Sequence, residues 1–476
     1  MNQPASVIKI TPSVEFDAAL VRKLNQMGPR YTSYPTADRF AGDFGAEQYR
    51  HAVGQVRAAG QLADLSLYIH IPFCESLCYY CACNKIITQD HGKAVEYLDY
   101  LRREISMQGK LFAGVNRVEQ LHFGGGTPTY LSDEQMDGLL ADLRRWFDFA
   151  SDEEGEFSIE VDPRTVSPAR IARLRAQGFN RISLGIQDFD PLVQQAVNRV
   201  QPYEQTMEVL LAARASGFRS ISVDLIYGLP KQTLASIAPT MDKVIAARPD
   251  RIALYNYAHL PHLFKAQRLI VAEDLPDAET KLQMLGLCIA RLTGAGYVYI
   301  GMDHFALPED DLARSQREGG LQRNFQGYST HADAPMVALG VSAISAVGRS
   351  YSQNEKVLSH YYERLDRGEL PVARGIALND DDLLRRGVIG VLMCDFELDL
   401  GALALPGGVP AGAYFGAELE RLRPLAEQGL LSIDGLRLTV SMRGRLLIRN
   451  ICMVFDHYLH APRPEGPSPA RYSKTI

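Results

Sequence analysis

Six short apolar runs recur through the first half and the middle of the chain, with helical stretches between them. Branched and aromatic residues fill each run so continuously that the pattern predicts strands buried on both faces. The runs are LYIHI from Leu67, VEQLHF from Val118, FSIEV from Phe157, RISLGI from Arg181, ISVDLI from Ile221 and RIALYN from Arg251.

The stretches between these runs carry the start and stop signals of helices. Ser132 and Gln135 form a capping box before DGLLADLRRWF. Ser167 and Pro168 begin a second helix, and Gly178 lies just past its end. Strand and helix therefore alternate, which predicts parallel strands joined by right-handed helical crossovers. Six such units suit an open sheet or a partial barrel, and both place chemistry at the carboxyl ends of the strands.

The pattern divides this α/β chain into three parts. The residues ahead of the first strand include PRYTSYPTADRF, which is too aromatic for a plain linker. Beyond about residue 375 there are helices, then a hairpin in LLSIDGLRLTV with Asp434 and Gly435 as its turn, then the helical RGRLLIRNICMVFDHYL. We therefore predict an N-terminal segment over 1–60, a core with an extension over 61–375, and a mainly helical, winged-helix-like domain over 376–476.

Composition places the chain among water-soluble proteins. Charged residues make up 22% of it, and 50 Lys and Arg against 56 Asp and Glu give a formal net charge of −6. This balance argues against a general affinity for nucleic acid or anionic membranes, and no apolar run approaches the roughly 20 residues of a membrane-spanning helix. The N-terminus has no basic start followed by an apolar stretch, so we expect no secretory signal and a cytoplasmic, reducing location.

Four of the seven cysteines lie close together. IPFCESLCYYCAC places Cys74, Cys78 and Cys81 at CxxxCxxC spacing, with Cys83 two residues further on. In a reducing compartment such thiols need a role other than disulfides. Three thiolates on one loop can hold three corners of an iron–sulfur cubane and leave one iron open to chemistry. The alternatives are buried inert thiols and a zinc site with all four cysteines, although structural zinc sites usually join ligand pairs from separate segments.

Two further features follow the cysteines. GGGTPTYL begins at Gly124, one strand later, and glycines there let backbone groups approach a ligand closely, although a tight turn is the alternative. Glu160 lies near the end of the strand in SIEVD, where its carboxylate could accept hydrogen bonds from hydroxyl groups. By itself, a Glu at a strand end is more typical of a solvated surface.

The order of these motifs resembles the radical S-adenosylmethionine (SAM) superfamily and, more narrowly, the oxygen-independent coproporphyrinogen III oxidases. Departures from that family are small: Ala82 replaces a usual Gly, Tyr80 a common Phe, and Phe123 a frequent Trp before the glycines. The resemblance covers nearly the whole chain, through PRYTSYPTA, YIHIPFCxxLCYYCxCNK, GGGTPTYL, SIEVDPR, GFNRISLGIQDF, VDLIYGLPKQT, NYAHLP, IGMDHFA, RNFQGYST, GVSAIS and GRLLIRNICM.

The resemblance implies a partial (β/α)6 barrel with a 4Fe–4S cluster and SAM, of which two molecules are consumed per substrate. Cys74, Cys78 and Cys81 would bind the cluster, and Cys83 would face the site without binding iron. SAM would chelate the open iron and carry the radical, so no side chain is assigned as catalytic. A second ligand position beside it would hold another SAM or the substrate. The implied cofactor contacts are Tyr68, Tyr80, Gly124, Gly125, Gly126, Thr127, Glu160, Gln187, Arg199, Asp224, Ala258 and Ile344.

The implied reaction is the oxidative decarboxylation of coproporphyrinogen III to protoporphyrinogen IX in heme biosynthesis. The substrate carries four propionates, so an acidic protein must gather cations locally to bind it. An electron-donor protein and an unknown electron acceptor are expected as partners, and we expect a monomer. The candidate substrate contacts are Arg30, Tyr31, Tyr34, Arg323 and Gln326.

Two other functions compete with this one. The first is a related radical-SAM protein that carries or modifies heme, but PRYTSYPTA and Cys83 are expected to be missing from that branch. The second is a winged-helix protein that binds nucleic acid or another partner. The acidic net charge and the lack of a long basic run argue against it.

Overall fold

The protein is built on one twelve-stranded sheet whose central strands are parallel. The computed structural model describes residues 13–60, 64–114, 117–331, 334–460 and 472–475. Residues 1–12 of the predicted N-terminal segment and residues 461–471 of the predicted C-terminal domain lie outside these ranges.

Six parallel strands cross the centre of the sheet in chain order, and each contains one of the predicted apolar runs. Those six predictions are confirmed. Because crossovers between parallel strands are right-handed, consecutive order places the connecting helices on one face, as in a partial (β/α)6 barrel. The strands are β1 (Leu65–Ile71), β2 (Val118–Gly125), β3 (Glu156–Val161), β4 (Arg181–Gln187), β5 (Ser220–Tyr227) and β6 (Arg251–Asn256).

Six further strands extend both edges of this core. They are β7 (Val298–Gly301), β8 (His304–Ala306), β9 (Met336–Leu339), β10 (Ile344–Val347), β11 (Ser350–Asn354) and β12 (Val372–Ala377). Only β9 runs parallel to its central neighbour, β1, while the others pair antiparallel. The order is β12-β11-β10-β9-β1-β2-β3-β4-β5-β6-β8-β7, so the sheet stays open between β7 and β12 in the described residues.

The helices begin and end where local signals place them. Ser132 and Gln135 form the predicted capping box, with each side chain accepting from the other residue's backbone N–H. Gly178 lies past the end of its helix with φ of 108°. No helix among the described residues is long and apolar enough to cross a membrane. The α-helices span Ala18–Leu24, Ala46–Ala58, Gly92–Leu111, Asp133–Trp146, Pro168–Ala176, Pro191–Ala196, Tyr203–Ala215, Leu234–Ala247, Ala278–Gly294, Asp311–Glu318, Leu358–Asp366, Asp380–Asp395, Ala411–Tyr414, Gly416–Glu427, Met442–Leu446, Ile448–Phe455 and His457–His460.

The C-terminal part differs in two details from the sequence prediction. Its hairpin pairs Asp434 with Arg437, so Gly435 and Leu436 form the turn; Asp434 remains in the strand. Gly435 takes the positive φ (58°) that a two-residue hairpin loop with a leading glycine requires. The single helix predicted from RGRLLIRNICMVFDHYL is three short helices. Nearly every side chain of Ile448–Phe455 is buried, so hydrophobic periodicity could not mark its ends.

One buried arginine joins both ends of the chain. Arg449 is 2% exposed, and its Nε donates to the carbonyl oxygen of Pro29 (2.7 Å). Nη1 donates to the carbonyls of Lys474 (2.8 Å) and Thr475 (3.1 Å), and Nη2 donates to that of Gly28. The guanidinium therefore fixes the N-terminal segment and residues 473–475 against the same helix.

A buried carboxylate connects helix Gly92–Leu111 to the strands beyond β9. Glu104 is fully buried and accepts hydrogen bonds from the N–H of Gly340 (2.8 Å), the amide of Asn354 (2.7 Å) and the hydroxyl of Tyr361 (2.6 Å). Burial raises the pKa of Glu104 to about 7, although these hydrogen bonds oppose the shift.

We predict that Glu104→Ala lowers the free energy of unfolding by roughly 2–5 kcal/mol, because three buried donors lose their acceptor. Between the ordinary pKa of 4.5 and about 7 the folded protein holds a proton that the unfolded chain has released. The stability of the wild type should therefore fall as pH rises through this window, and the variant should lose that part of the slope. Denaturant unfolding at several pH values measures both effects. Exposed Glu96→Ala on the same helix is the control, and equal stability of the two variants would contradict the prediction.

Candidate active site

An open cleft of about 180 Å³ lies at the carboxyl ends of the central strands. This is the edge at which parallel α/β sheets hold their ligands. Residues from the loops after β1, β2, β3 and β4 meet there with residues from β5. Among the residues singled out in the sequence, the cleft is lined by Cys74, Cys78, Tyr80, Cys81, Cys83, Gly125, Gly126, Thr127, Glu160, Gln187, Arg199 and Asp224.

The cysteines lie on the loop that follows β1. Two short strands, Phe73–Cys74 and Ile86–Ile87, pair in parallel and close this loop at its base. Within the loop the N–H of Cys81 donates to the carbonyl of Cys78 (3.2 Å), which makes a tight turn. The sequence therefore places several thiols on one wall of the cleft without a disulfide.

Hydrogen-bond donors approach two of the proposed ligand sulfurs. The hydroxyl of Thr127 donates to Cys74 Sγ (3.4 Å). Guanidinium groups of Arg164 and Arg199 both donate to Cys78 Sγ (3.5 Å each). Such donors stabilise thiolates and the negative charge of an iron–sulfur cluster, so these surroundings fit that cofactor.

The remaining two cysteines form a coupled pair. A hydrogen bond from Cys83, with help from Lys85, lowers the pKa of Cys81 to about 6 against the effect of burial. The same contact raises the pKa of Cys83 well above its usual range, although its side chain is exposed. Cys81 is therefore a thiolate near neutral pH while Cys83 keeps its proton. Burial raises the pKa of Cys74 to about 11, so metal binding there must displace a proton.

The cleft is not built around a single metal ion. In the described ranges, no group of three or more His, Cys, Asp or Glu side chains converges on one ion position. A cubane needs no such convergence, because each thiolate binds a different iron.

A buried ion network braces the cysteine loop from β3. Asp162 accepts from Arg164 (2.7 Å) and from Arg199 (3.1 Å), and Arg199 also donates to the carbonyl of Gly185 (2.7 Å). Burial alone would raise the pKa of Asp162, but Arg199 and Arg164 hold it below its usual range. The guanidinium of Arg199 is thus held between the loop and β4, and its contact with cofactor stays a prediction.

Glycines after β2 are required by the packing around them. A Cβ atom at Gly124 would lie 2.9 Å from the carboxylate of Glu160, and one at Gly125 would lie 2.6 Å from His70. Gly125 also has a φ of 114°, which other residues rarely adopt. Because Gly124 and Gly125 have no side chain, the loop after β2 packs directly against His70 of β1 and Glu160 of β3.

Glu160 faces the cleft with 44% of its side chain exposed. It lies 3.2 Å from His122 Nε2 and accepts from the N–H of Gly125 (3.2 Å). Burial opposes ionisation, but these hydrogen bonds hold the pKa of Glu160 below its usual range, so the group is a carboxylate. The ring of Tyr68 stacks on His122 (5.8 Å between centroids). This carboxylate is available to hydroxyl groups of a ligand, and that contact stays a prediction.

Two predicted contacts lie on β4 and β5. Gln187 occupies an irregular point of β4 with φ of 67°, a strained conformation typical of bulges near binding sites. Asp224 on β5 accepts from the hydroxyl of Ser183 (3.3 Å). Burial and the neighbouring charge of Glu160 raise the pKa of Asp224 to about 7. The charge of the cleft therefore changes near neutral pH.

Two arginines predicted to bind the substrate lie close to each other, outside the lining of the cleft. Arg30 pairs with Asp303, and Arg323 lies 4.8 Å from the ring centroid of Tyr328. Nε and Nη1 of Arg323 are buried and have no hydrogen-bond partner in the described structure. Burial and the charge of Arg323 lower the pKa of Arg30, which shows that the guanidinium groups are close. This surplus of cationic donors suits an anionic ligand.

Tyr255, at the end of β6, is close to both acidic and cationic groups. Burial raises its pKa, the charge of Asp224 acts in the same direction, and Arg30 and Arg323 oppose it. Both sets of charges therefore lie near one phenol. The cleft and the arginine pair are neighbouring parts of one region at the carboxyl ends of the strands.

Besides the two arginines, seven predicted contacts do not line the cleft. Two of them, Tyr68 and Gly124, lie beside His122 and Glu160. Ala258 lines a neighbouring cavity, Ile344 packs in an apolar cluster, and Gln326 donates to a methionine sulfur (3.3 Å). Tyr31 and Tyr34 direct their hydroxyl groups at the C-terminal domain. The hydroxyl of Tyr31 donates to the Asp456 carboxylate (3.0 Å), and that of Tyr34 accepts from the backbone N–H of His457 (3.1 Å). Their ligand contacts stay predictions.

Sequence reasoning missed three residues of this site. Asp162 and Arg164 stood within the motif SIEVDPR, directly after β3, where charged residues reach the ligand edge of the sheet. His122, in the middle of β2, orients Glu160. The sequence signal for His122 was a polar residue inside a strand predicted to be buried on both faces. Such a residue needs a buried hydrogen-bond partner.

The fold and the cysteine loop together define a radical-SAM protein. Residues 68–244 match the family described as Radical SAM superfamily, and residues 378–447 match the family described as HemN C-terminal domain. A parallel α/β core with three cysteines at CxxxCxxC spacing after β1 is what this class requires. Its cofactors are a 4Fe–4S cluster and SAM.

Comparison with curated relatives identifies one family within this class. An oxygen-independent coproporphyrinogen III oxidase of Pseudomonas aeruginosa is 49% identical over 447 residues, covering 94% of this chain and 97% of the relative. One of Escherichia coli is 50% identical over 446 residues, covering 94% and 96%. The solved structure of coproporphyrinogen III oxidase (HemN) from Escherichia coli, described as a radical SAM enzyme, matches with a TM-score of 0.89 and 48% identity, covering 94% of this chain and 100% of that chain. The chain belongs to the oxygen-independent coproporphyrinogen III oxidases. This confirms the resemblance and argues against the heme-carrier and nucleic-acid alternatives.

We predict that Cys81→Ser loses most of its iron whereas Cys83→Ser keeps the cluster. Cys81 belongs to the CxxxCxxC set whose three thiolates hold three irons, and a fourth protein ligand at Cys83 would block the iron that SAM chelates. Anaerobic reconstitution, followed by iron analysis and paramagnetic resonance with and without SAM, separates the two. Equal metal loss in both variants would assign all four thiols to the metal.

A second prediction concerns pH. SAM carries ammonium and sulfonium charges, so its affinity should rise as Asp224 ionises, by about 10-fold between about pH 6 and pH 8. Asp224→Asn should remove most of this pH dependence. Anaerobic titration calorimetry of the cluster-loaded protein measures it, and an unchanged slope in the variant would show that another group titrates.

Proposed function

We propose that this protein converts coproporphyrinogen III to protoporphyrinogen IX without molecular oxygen. For each of two propionates, the β-carbon loses a hydrogen atom, carbon dioxide leaves, and one electron passes to an acceptor, which yields a vinyl group. The observation that carries the proposal is a thiol-lined, partly acidic cleft at the strand ends together with Arg323, whose buried Nε and Nη1 have no hydrogen-bond partner in the described structure. The cleft suits the cationic cofactor, and the arginines suit the carboxylates of the substrate.

The cysteine loop and its donors hold the cofactors. When bound, the reduced cluster supplies the electron that cleaves SAM to the radical that takes the hydrogen atom. Cys74, Cys78 and Cys81 hold three irons, and the donors to Cys78 offset the negative charge. Glu160 and Asp224 stand across the cleft from this loop and orient the nucleoside part. Productive transfer requires reacting carbons roughly 3–3.5 Å apart, so fixing these groups is the main catalytic task of the protein.

The arginines orient the substrate. A planar guanidinium binds a carboxylate through two parallel hydrogen bonds, which fixes direction as well as distance. Arg323 has buried N–H groups without a partner, and a bound propionate supplies the acceptor they lack. Arg30 forms an ion pair with Asp303. Its side chain is 36% exposed and lines the neighbouring cavity. These two cations compensate for the acidic total charge of the chain.

The N-terminal segment, residues 1–60, covers the substrate. In support of this, its Arg30 reaches the site, while the hydroxyl groups of Tyr31 and Tyr34 hold the neighbouring backbone against the C-terminal domain. A cover fixed in this way excludes water and stray hydrogen donors from a reactive radical.

The reaction also needs partners. An electron-donor protein must reduce the cluster, and a separate acceptor must take the electron released by each decarboxylation. We propose that the chain works as a monomer in the cytoplasm, where its seven cysteines, all free of disulfides, stay reduced.

The direct test is anaerobic turnover. Reconstituted protein with coproporphyrinogen III, SAM and a reductant should form protoporphyrinogen IX and two equivalents of 5′-deoxyadenosine, read by chromatography and by fluorescence after oxidation. Omission of SAM is the control. Deoxyadenosine without any decarboxylated product, in protein with a full cluster, would contradict the proposed substrate.

We further predict that Glu160→Ala keeps the cluster but binds SAM roughly 10- to 150-fold more weakly, because a charge-assisted hydrogen bond contributes about 1.5–3 kcal/mol. Calorimetry measures the affinity, and iron analysis checks that the cluster is intact. The exposed Glu153→Ala, which changes the same charge away from the cleft, should bind SAM normally. Unchanged affinity in Glu160→Ala would assign its carboxylate to structure alone.

A further inference from the structure

Strand β8 begins with His304, a partly buried histidine. In the sheet His304 lies opposite Ala253 of β6, and Ala253 lies opposite Asp224 of β5. Residues opposite each other on neighbouring strands project their side chains to the same face of a sheet. His304 therefore shares a face with Asp224, which lines the cleft, and two strand spacings of roughly 4.8 Å each separate their backbones.

The hydrogen bonding of its imidazole ring sets His304 apart. Ring nitrogens of His70, His122 and His331 all have partners inside the protein. Nδ1 of His304 is buried and has no partner in the described structure. An N–H group at that position would be a buried donor without an acceptor, which is rare in folded proteins. The proton of a neutral ring therefore belongs on Nε2.

Nε2 of His304 faces a space left by a glycine. A Cβ atom at Gly327 would stand 3.5 Å from Nε2 and 3.9 Å from Cε1 of the same ring. Within the described residues, and apart from Gly327 and its chain neighbours, no other atom would come within 4 Å of it. The glycine thus leaves room beside the Nε2–H group for an acceptor atom of a ligand.

The ring of Tyr328 connects His304 with Arg323. The rings of His304 and Tyr328 meet edge to face, with 5.3 Å between their centroids. The guanidinium of Arg323 lies 4.8 Å from the centroid of the same phenol ring. Arg323 and Tyr328 lie opposite each other in the short hairpin of Gln322–Asn324 and Gly327–Ser329. This hairpin therefore brings both the unpartnered guanidinium and the space beside Nε2 to one place.

His304 is a neutral donor. Burial and the charges of Arg323, Arg30 and Arg251 lower its pKa well below the usual value. A neutral ring adds a hydrogen-bond donor without adding a further positive charge to the neighbouring guanidinium groups. A carboxylate bound beside Arg323 has lone pairs left for such a donor, because its two oxygens offer about four acceptor positions.

We propose that His304 is a substrate-binding residue, which donates from Nε2 to a propionate of coproporphyrinogen III beside Arg323. The face that His304 shares with Asp224 is the one on which the cofactor cleft opens. A tetrapyrrole with its arms is wider than two strand spacings, so one molecule can contact His304 and still reach the cleft. This inference deepens the proposed function and rests on it.

Three substitutions at His304 separate ring packing from hydrogen bonding. His304→Phe keeps an aromatic ring against Tyr328 and Tyr255 but removes both nitrogens. His304→Gln can place an amide N–H near the position of Nε2, whereas His304→Asn can place one only near that of Nδ1. We expect His304→Phe and His304→Asn to bind coproporphyrin III, the stable oxidised form of the substrate, roughly 10-fold more weakly, and His304→Gln to retain most of the affinity. Porphyrin fluorescence anisotropy with cluster-loaded protein measures the affinity.

Turnover and a double variant supply two readouts that a packing role would not change. KM for coproporphyrinogen III should rise in His304→Phe while kcat changes little, because the lost contact is made in substrate binding. Since both side chains contact one ligand at neighbouring positions, the loss of affinity in His304→Phe/Arg323→Met should be smaller than the product of the separate losses. The exposed His360→Phe is the matched control and should bind normally. Iron content and circular dichroism check that each variant is folded and loaded.

The outcomes separate this inference from the proposed function. Unchanged affinity and KM in His304→Phe, with the wild type active, would overturn the role of His304 alone. Where His304→Phe does not fold, the contrast between His304→Gln and His304→Asn decides, and retention by the second with loss in the first would overturn the assignment of Nε2. A wild type that neither binds coproporphyrin III nor decarboxylates its reduced form would overturn the proposed function itself.

Discussion

The structure depends on the convergence of parallel strand ends at one edge of a single sheet. Because β1 to β6 run in the same direction and in chain order, every loop that follows a strand reaches the same region. Thiols and carboxylates from β1 to β5 meet on one side of this edge, and arginines from outlying segments meet on the other. The charges of both sets act on the phenol of Tyr255. The acidic cleft is thus available to a cationic ligand, and the arginine pair is available to an anionic one.

The two ends of the chain complete this region. Arg449 donates to backbone carbonyls of both the N-terminal segment and the tail, so neither can leave without exposing a buried guanidinium. The consequence is a cavity whose walls come from residues hundreds of positions apart in the sequence.

Sequence reasoning found the elements with strong local signals. The central strands and the capping box at Ser132 follow from apolar runs and short-range hydrogen-bonding patterns, which depend on neighbouring residues. The edge strands, such as β8, are too short for a pattern to emerge. The ion network of Asp162 depends on tertiary contacts alone. Ala258 lies next to the strand that positions it, but which cavity it lines depends on the packing of three separate segments.

The central claim is that the cleft and the arginine pair are two parts of one active site, so that the cofactor meets a propionate directly. Coproporphyrinogen III deuterated at the propionate β-carbons tests this claim in one anaerobic turnover experiment. Mass spectrometry of the 5′-deoxyadenosine produced should show one deuterium atom per molecule, matched by loss of deuterium from the vinyl groups formed. Deoxyadenosine without deuterium, accompanied by normal product, would contradict the account, because the hydrogen would then be removed by a group other than the bound cofactor.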